Sequence, residues 1–405
     1  MKRTRLAIVV SHPIQHFVHF YRAIAALEQL NVKVFFCSRL GLDRYFDRDM
    51  NTSIKWAGDM TAGFDHEFLP EAREIKTTGF RAINNPSLGA ALNTFRPDAV
   101  LVYGYAQVTQ LRALAWCRAN RVPTLMMTDT NAVTKRQYLK KILRKSVLMP
   151  LLGRVSAFLT VGDQNEVALA AVGVPKAKMY RSPFTIDEKK YRQVFSERQE
   201  KRNKIRQLLD IPPSAFVGIT VGKLIPRKCT QDAVEAFVLA AKKIGERRRI
   251  HLLICGDGPD REVIERLVEA GAPATLAGFI NVDVLPDYFA AADVLIHAAS
   301  RDAHPLICSE AASVGLPMII SDLVGCIGPT DIARRDENAM VYKCGDVTAL
   351  ASKIVQLAND DSQLRKMSES SKRIFEECDL EASVNGLLGA LDAVTPSDMY
   401  TGEAR

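Results

Sequence analysis

Short, unbroken apolar runs recur along the chain, each followed by an amphipathic stretch, and this alternation restricts the fold more than any other feature. In the first half the runs are Leu6–Val10, Val32–Cys37, Ala99–Tyr103, Thr124–Thr128 and Ala157–Val161. They are nearly continuous rather than apolar at every second residue, as strands of a parallel sheet covered on both faces are. Helical patterns such as Phe17–Leu30 and Gln107–Asn120 fall between them. A charged break, SPFTIDEKKYRQVFSERQEKRNKIRQLLDIPP at 182–213, interrupts the series. The theme then resumes with Phe216–Val221, His251–Cys255, Asp293–Ile296 and Met318–Ser321. One helix of this half is plain, with Val234, Phe237, Val238 and Ala241 at i, i+3, i+4, i+7 and Thr230 placed to cap it.

Two such arrays predict an α/β protein of two doubly wound, Rossmann-like domains. The expected units are 1–190 and 191–380, with a last helix at about 381–400 packing back on the first. Ligands of these sheets lie outside the carboxyl ends of the strands, so the cleft between the two is the expected site.

With 405 residues, 47% of them hydrophobic, the chain can bury two cores. Its 54 Lys and Arg against 46 Asp and Glu leave a net charge of +8, which suits a polyanionic ligand or an anionic membrane surface. Nucleic acid is not expected, because neither zinc-ligand spacing nor an interleaved aromatic platform is present. Eight cysteines are scattered without a C-x-x-C pair, the pattern of reduced thiols in a cytoplasmic protein. The opening MKRTRLAIVV imitates an export signal, but its apolar run stops at Val10, short of the ~7–15 residues such a segment needs, and reads as a first strand. No stretch approaches the ~20 apolar residues that cross a membrane.

The densest chemistry lies in Arg301–Pro317, RDAHPLICSEAASVGLP. Pro305 fits the first turn of a helix and Gly315 the position just past its end, giving a helix at about 305–314. Its unpaired amides, near Leu306–Cys308, make an anion site. Asp302 precedes that start and Glu310 lies in the second turn, so two carboxylates flank one position.

This acid-x7-acid followed by A-A-x-x-G-x-P resembles the motif of glycosyltransferase family 4. The resemblance implies a GT-B fold and retaining transfer of a sugar from a nucleotide diphosphate donor to a glycan, lipid-linked or small-molecule acceptor. It places Glu310 on the donor ribose and Asp302 near the anomeric centre. His304, Leu306 and Ile307 complete the donor side. Two positions depart from the commoner pattern, Asp302 for Glu and Pro305 for Gly.

The turn Gly222-Lys223-Leu224-Ile225-Pro226-Arg227-Lys228 follows a strand and is similar to the family's G-R-L…K-G. Lys223 and Lys228 then neutralise the β-phosphate, with Arg227 nearby, while Cys229 stands where a glycine is usual. Gly256-Asp257-Gly258 is half of a dinucleotide loop and lacks the third glycine, so NAD is not expected. By resemblance Gly256 borders the nucleotide, and 275–294 (TLAGFINVDVLPDYFAAADV) brings Phe279 and Ile280 to its base. On the acceptor side, His12 lies in the first strand's loop and Asp129 ends the strand at 124–128. Asp302, Glu310, Lys228 and Asp129 are thus the catalytic candidates. No cofactor and no metal are expected, and Asp47-Arg48-Asp49 reads as a loop coincidence rather than a metal-binding D-x-D. The segment at 134–154 has seven cations, no acid and a partial apolar stripe, so 135–154 is a candidate for peripheral contact with an anionic membrane at its inner face. Rival readings are a nucleotide-sugar epimerase on the same fold and a non-catalytic nucleotide-sugar-binding homologue.

Overall fold

The computed structural model describes residues 3–42, 45–47, 52–54, 58–132 and 148–395. The basic segment lies largely outside the described residues, as do Arg48 and Asp49.

The first sheet has seven parallel strands in the order β3-β2-β1-β4-β5-β6-β7. These are β1 (Thr4–Val10), β2 (Leu30–Phe36), β3 (Asp65–Phe68), β4 (Ala99–Tyr103), β5 (Thr124–Thr128), β6 (Ala157–Thr160) and β7 (Met179–Arg181). Helices α1 (Gln15–Ala25), α2 (Leu88–Phe95), α3 (Val108–Asn120) and α4 (Asp163–Ala171) cover it. Leu6 to Val9 are all wholly buried, which is why the run carries no polar residue. A small antiparallel ribbon, Tyr45–Asp47 with Thr52–Ile54, stands apart.

The charged break is not a loose linker. It forms α5 (Glu188–Ser196) and α6 (Arg198–Leu208). Along α6, Arg198, Arg202 and Arg206 donate to the carbonyls of Ala291 and Ala292, and the latter two ion-pair with Asp293. Arg206 also donates to Pro212, Pro213 and Ala215 although it is only 2% exposed. The stretch reads only as a charged break in sequence, whereas its arginines direct their donors to a neighbouring chain end.

The second sheet has six parallel strands, ordered β10-β9-β8-β11-β12-β13. They are β8 (Phe216–Val221), β9 (Ile250–Cys255), β10 (Ala274–Gly278), β11 (Val294–His297), β12 (Met318–Ser321) and β13 (Ala339–Tyr342). Around it lie α7 (Thr230–Ile244), α8 (Arg261–Glu269), α9 (Leu285–Ala291), α10 (Leu306–Ser313), α11 (Val347–Ala358) and α12 (Asp361–Glu376). Thr230 does not cap α7. It is the first helical residue, and Cys229 precedes it in the left-handed conformation at φ +51°.

Both sheets place their first strand at the point where the order reverses, so the crevice beside β1 and that beside β8 are the binding positions of this topology. The chain then crosses back. Helix α13 (Leu380–Val394) packs on β6, β7 and α1, with Ser182 Oγ donating to the Ser383 carbonyl at 3.0 Å.

Candidate functional site

A cleft of about 1450 Å³ opens between the carboxyl edges of the two sheets. The turn after β8 forms one part of its wall. Gly222 has φ +140°, and a side chain on Gly256 would meet the Gly222 carbonyl at 1.9 Å. The two turns can therefore pack backbone to backbone only as glycines. Gly222, Lys223 and Gly256 line the cleft, as do Phe279 and Ile280 after β10.

Helix α10 supplies the floor. Pro305 sits at its N-cap with extended backbone, one residue earlier than a helix from 305 requires, and Gly315 lies beyond its end at φ +71°. Cys308 N–H bonds back to the Pro305 carbonyl at 3.1 Å, so only Leu306 and Ile307 keep the unpaired amides expected there. Both residues line the cleft, and so does Glu310 one turn on. Burial pushes the Glu310 carboxyl up to about 7, with the Tyr191 hydroxyl beside it pulling the other way.

Asp302 and Lys228 stand just behind that wall. Asp302 Oδ2 accepts from Lys228 Nζ at 2.6 Å and from His297 Nε2 at 3.1 Å. Burial alone raises the Asp302 carboxyl, but His297 and Lys228 outweigh it and hold the group far below the usual carboxylate range. Lys228 is adjacent to Gly222, whose missing side chain would lie 3.9 Å from Lys228 Cε. The expected phosphate cation is thus paired with the expected anomeric acid.

The opposite wall belongs to the first sheet. His12, Gln15, Val18, His19 and Arg22 face the cleft, the last four at the i, i+3, i+4, i+7 spacing of one α1 stripe. His12 bonds Ser11 Oγ at 2.8 Å, and burial lowers both its imidazole and that of His16 to about 4, so each is neutral at physiological pH.

Three expected site residues lie elsewhere. Asp129 is exposed and does not line the cleft, and two residues on Asn131 donates to the Asp302 carbonyl. Arg227 is exposed, and its carbonyl accepts from Ser300 N and Oγ. His304 is buried against Asp331 at 3.0 Å and against the ring of Phe184, in the junction between the two units. His297 and Tyr191 were not singled out by the sequence. A histidine ending the otherwise apolar VLIH strand was the available signal for the first. For Tyr191 there was none, since its place depends on α5 folding over α10.

Among the described residues, no group of three or more His, Cys, Asp or Glu is placed to hold a metal ion, and no helix is long and apolar enough to cross a membrane.

Two Rossmann-like units facing across a cleft, with paired glycine turns and an acid-bearing helix on one side, define a GT-B architecture. Residues 201–374 match the model of the glycosyl transferases group 1 family. The chain is 25% identical over 51% of its length to alpha-monoglucosyldiacylglycerol synthase of Acholeplasma laidlawii, covering 54% of it. It is 28% identical over 40% of its length to an exopolysaccharide phosphotransferase of Streptomyces coelicolor, covering 17% of that protein. The chain thus spans about half or less of these curated relatives. Among solved structures, Anabaena HepE in complex with UDP superposes with a TM-score of 0.71 at 14% identity, covering 96% of this chain and all of that one. Nothing in these matches favours the epimerase reading.

Proposed function

We propose that this protein is a retaining, metal-independent glycosyltransferase that moves a sugar from a nucleotide diphosphate donor to a glycan or lipid-linked acceptor. The observation that carries the reading is the convergence of Glu310, the first α10 amides and the Gly222–Lys223 turn on one cleft wall. UDP in HepE and the monoglucosyldiacylglycerol in the name of the Acholeplasma relative support the two substrate classes. In this reading residues 191–380 hold the donor and 1–190, closed by α13, shape the acceptor site.

Glu310 accepts from the ribose hydroxyls, and Phe279 and Ile280 border the base. Charge grows on the diphosphate as the glycosidic bond breaks, and Lys223, Lys228 and the Leu306 and Ile307 amides oppose it. The bond from the anomeric carbon to the donor oxygen breaks as the acceptor oxygen bonds to that carbon on the same face. The leaving phosphate takes the acceptor's proton, so no general base is required. Asp302 remains ionised beside the oxocarbenium-like centre, and Lys228 divides its three N–H donors between Asp302 and the phosphate. His12 and the α1 stripe meet the acceptor. A place at the inner membrane face, reached through 135–154, belongs to the same proposal.

Isothermal titration with UDP and GDP, followed by turnover of a panel of nucleotide sugars, tests this. Wild type should bind one diphosphate and consume its sugar nucleotide, and Glu310→Ala should lose both. A Glu310→Ala protein with wild-type turnover would sink the assignment.

A further inference from the structure

Two carboxylates are exchanged between the units at the junction behind the cleft. Asp331, in the second unit and 2% exposed, accepts from Asp163 N–H through Oδ2 at 2.8 Å. That amide opens α4, whose own N-cap is Gly162 and carries no side chain to do so. Asp331 Oδ1 holds His304 Nε2 at 3.0 Å and Ile332 N–H at 2.8 Å. In return, the Asp163 carboxylate of the first unit accepts from Thr330 N–H at 2.9 Å, from Thr330 Oγ1 at 2.5 Å and from Arg181 Nη2 at 2.6 Å. Each acid thus satisfies main-chain donors of the other unit.

A glycine admits each acid. A side chain on Gly162 would lie 2.1 Å from Asp331 Oδ2, and one on Gly328 would lie 2.0 Å from Asp163 Oδ2. The exchange reaches the cleft from both sides. His304 lies two residues after Asp302 and packs edge-on against Phe184 at 5.7 Å, and Phe184 meets His16 of the acceptor wall at 5.3 Å.

We propose that Asp163 and Asp331 are positioning residues, a reciprocal latch that fixes the Asp302–Pro305 loop relative to the α1 wall. This inference rests on the glycosyl-transfer reading, since what it sets is the separation of donor and acceptor. Neither acid touches a substrate. Their effect passes through His304 and Phe184 to the α1 wall.

The test compares Asp163→Ala, Asp331→Ala, Asp331→Asn and the double alanine variant with wild type. UDP affinity should stay within about twofold in all, because the donor wall belongs to one unit, while kcat falls on the order of 10- to 100-fold, the scale of misplaced reacting groups. The double variant should lose no more than either single one, because one latch is broken once. Asp331→Asn should recover part of the kcat, since its amide oxygen still accepts from Asp163 N–H. Unchanged kcat in the alanine variants, or losses that multiply in the double, would overturn the latch. Equal losses of UDP affinity and kcat would also overturn it, as a merely structural role. If wild type bound no nucleotide, the donor reading would fail by itself. Calorimetry would still decide the latch, which requires one cooperative unfolding transition in wild type and two in the double variant.

Discussion

Glu310 and Asp302 share a motif but not an electrostatic situation. Glu310 has burial and little to offset it, so its carboxyl titrates at about 7 against an ordinary 4.5. Between those values the folded protein keeps a proton that the unfolded chain has released. Its contribution to stability is therefore full below pH 4.5 and is lost as the pH rises through 7. In the proposed role donor binding runs the other way, because ribose hydroxyls would need the carboxylate. UDP affinity should rise from pH 6 to pH 8, with protons released on binding, and this dependence should vanish in Glu310→Gln. Calorimetric titration in two buffers of different ionisation enthalpy reads both effects. Asp302 stays ionised throughout, and its vulnerability is to loss of partners. Removing Lys228 leaves a carboxylate held by His297 alone, so Lys228→Ala should cut kcat by about 100-fold with a smaller change in donor KM. The acid spacing and helix start were legible in the sequence because motif and capping rules act locally. The Lys228–Asp302 pairing was not, since it joins loops 74 residues apart.

Helix α6 shows how a local rule can mislead. Its sequence, RQEKRNKIRQL, reads only as part of a charged break, yet three arginines clamp the end of α9 and the entry to β11. Arg206 is the centre of that clamp, with four carbonyls and one carboxylate on a single guanidinium. Arg206→Ala should destabilise the protein by about 1–3 kcal/mol, because the Ala291, Pro212, Pro213 and Ala215 carbonyls lose a donor while Asp293 keeps Arg202. Lysine should not rescue it, because one ammonium cannot reach the same acceptors. Urea midpoints measure both. The buried strands, by contrast, were readable almost to the residue. β4, β5, β8 and β12 match their apolar runs because burial on both faces leaves no polar position to blur the ends. Short edge strands such as β7 and β13 went unread, as their three or four residues carry too little pattern.

At the scale of the molecule, the repeated strand order makes each unit's crevice fall at the same topological place, and the cleft arises where the two crevices meet. Pattern alone implied as much. What it could not give was the seam, where Gly162, Gly328 and two acids determine how the units stand to each other. The return of α13 was expected only in outline. Leu387, Ala390 and Leu391 complete the core made by β1, β4 and α1, and a side chain at Gly386 would strike the Arg181 carbonyl at 1.9 Å. A chain cut after Asp379 should keep UDP binding in its second unit while its first binds hydrophobic dyes and precipitates, as sedimentation would show.

The order of synthesis gives that returning helix a further meaning. A chain leaving the ribosome normally finishes its first domain before its second. Here the first sheet emerges early but waits for Leu387, Ala390 and Leu391, more than 200 residues beyond β7, to close its core. The unit that begins first is completed last, and through the interval the apolar face that Leu387, Ala390 and Leu391 cover stays open.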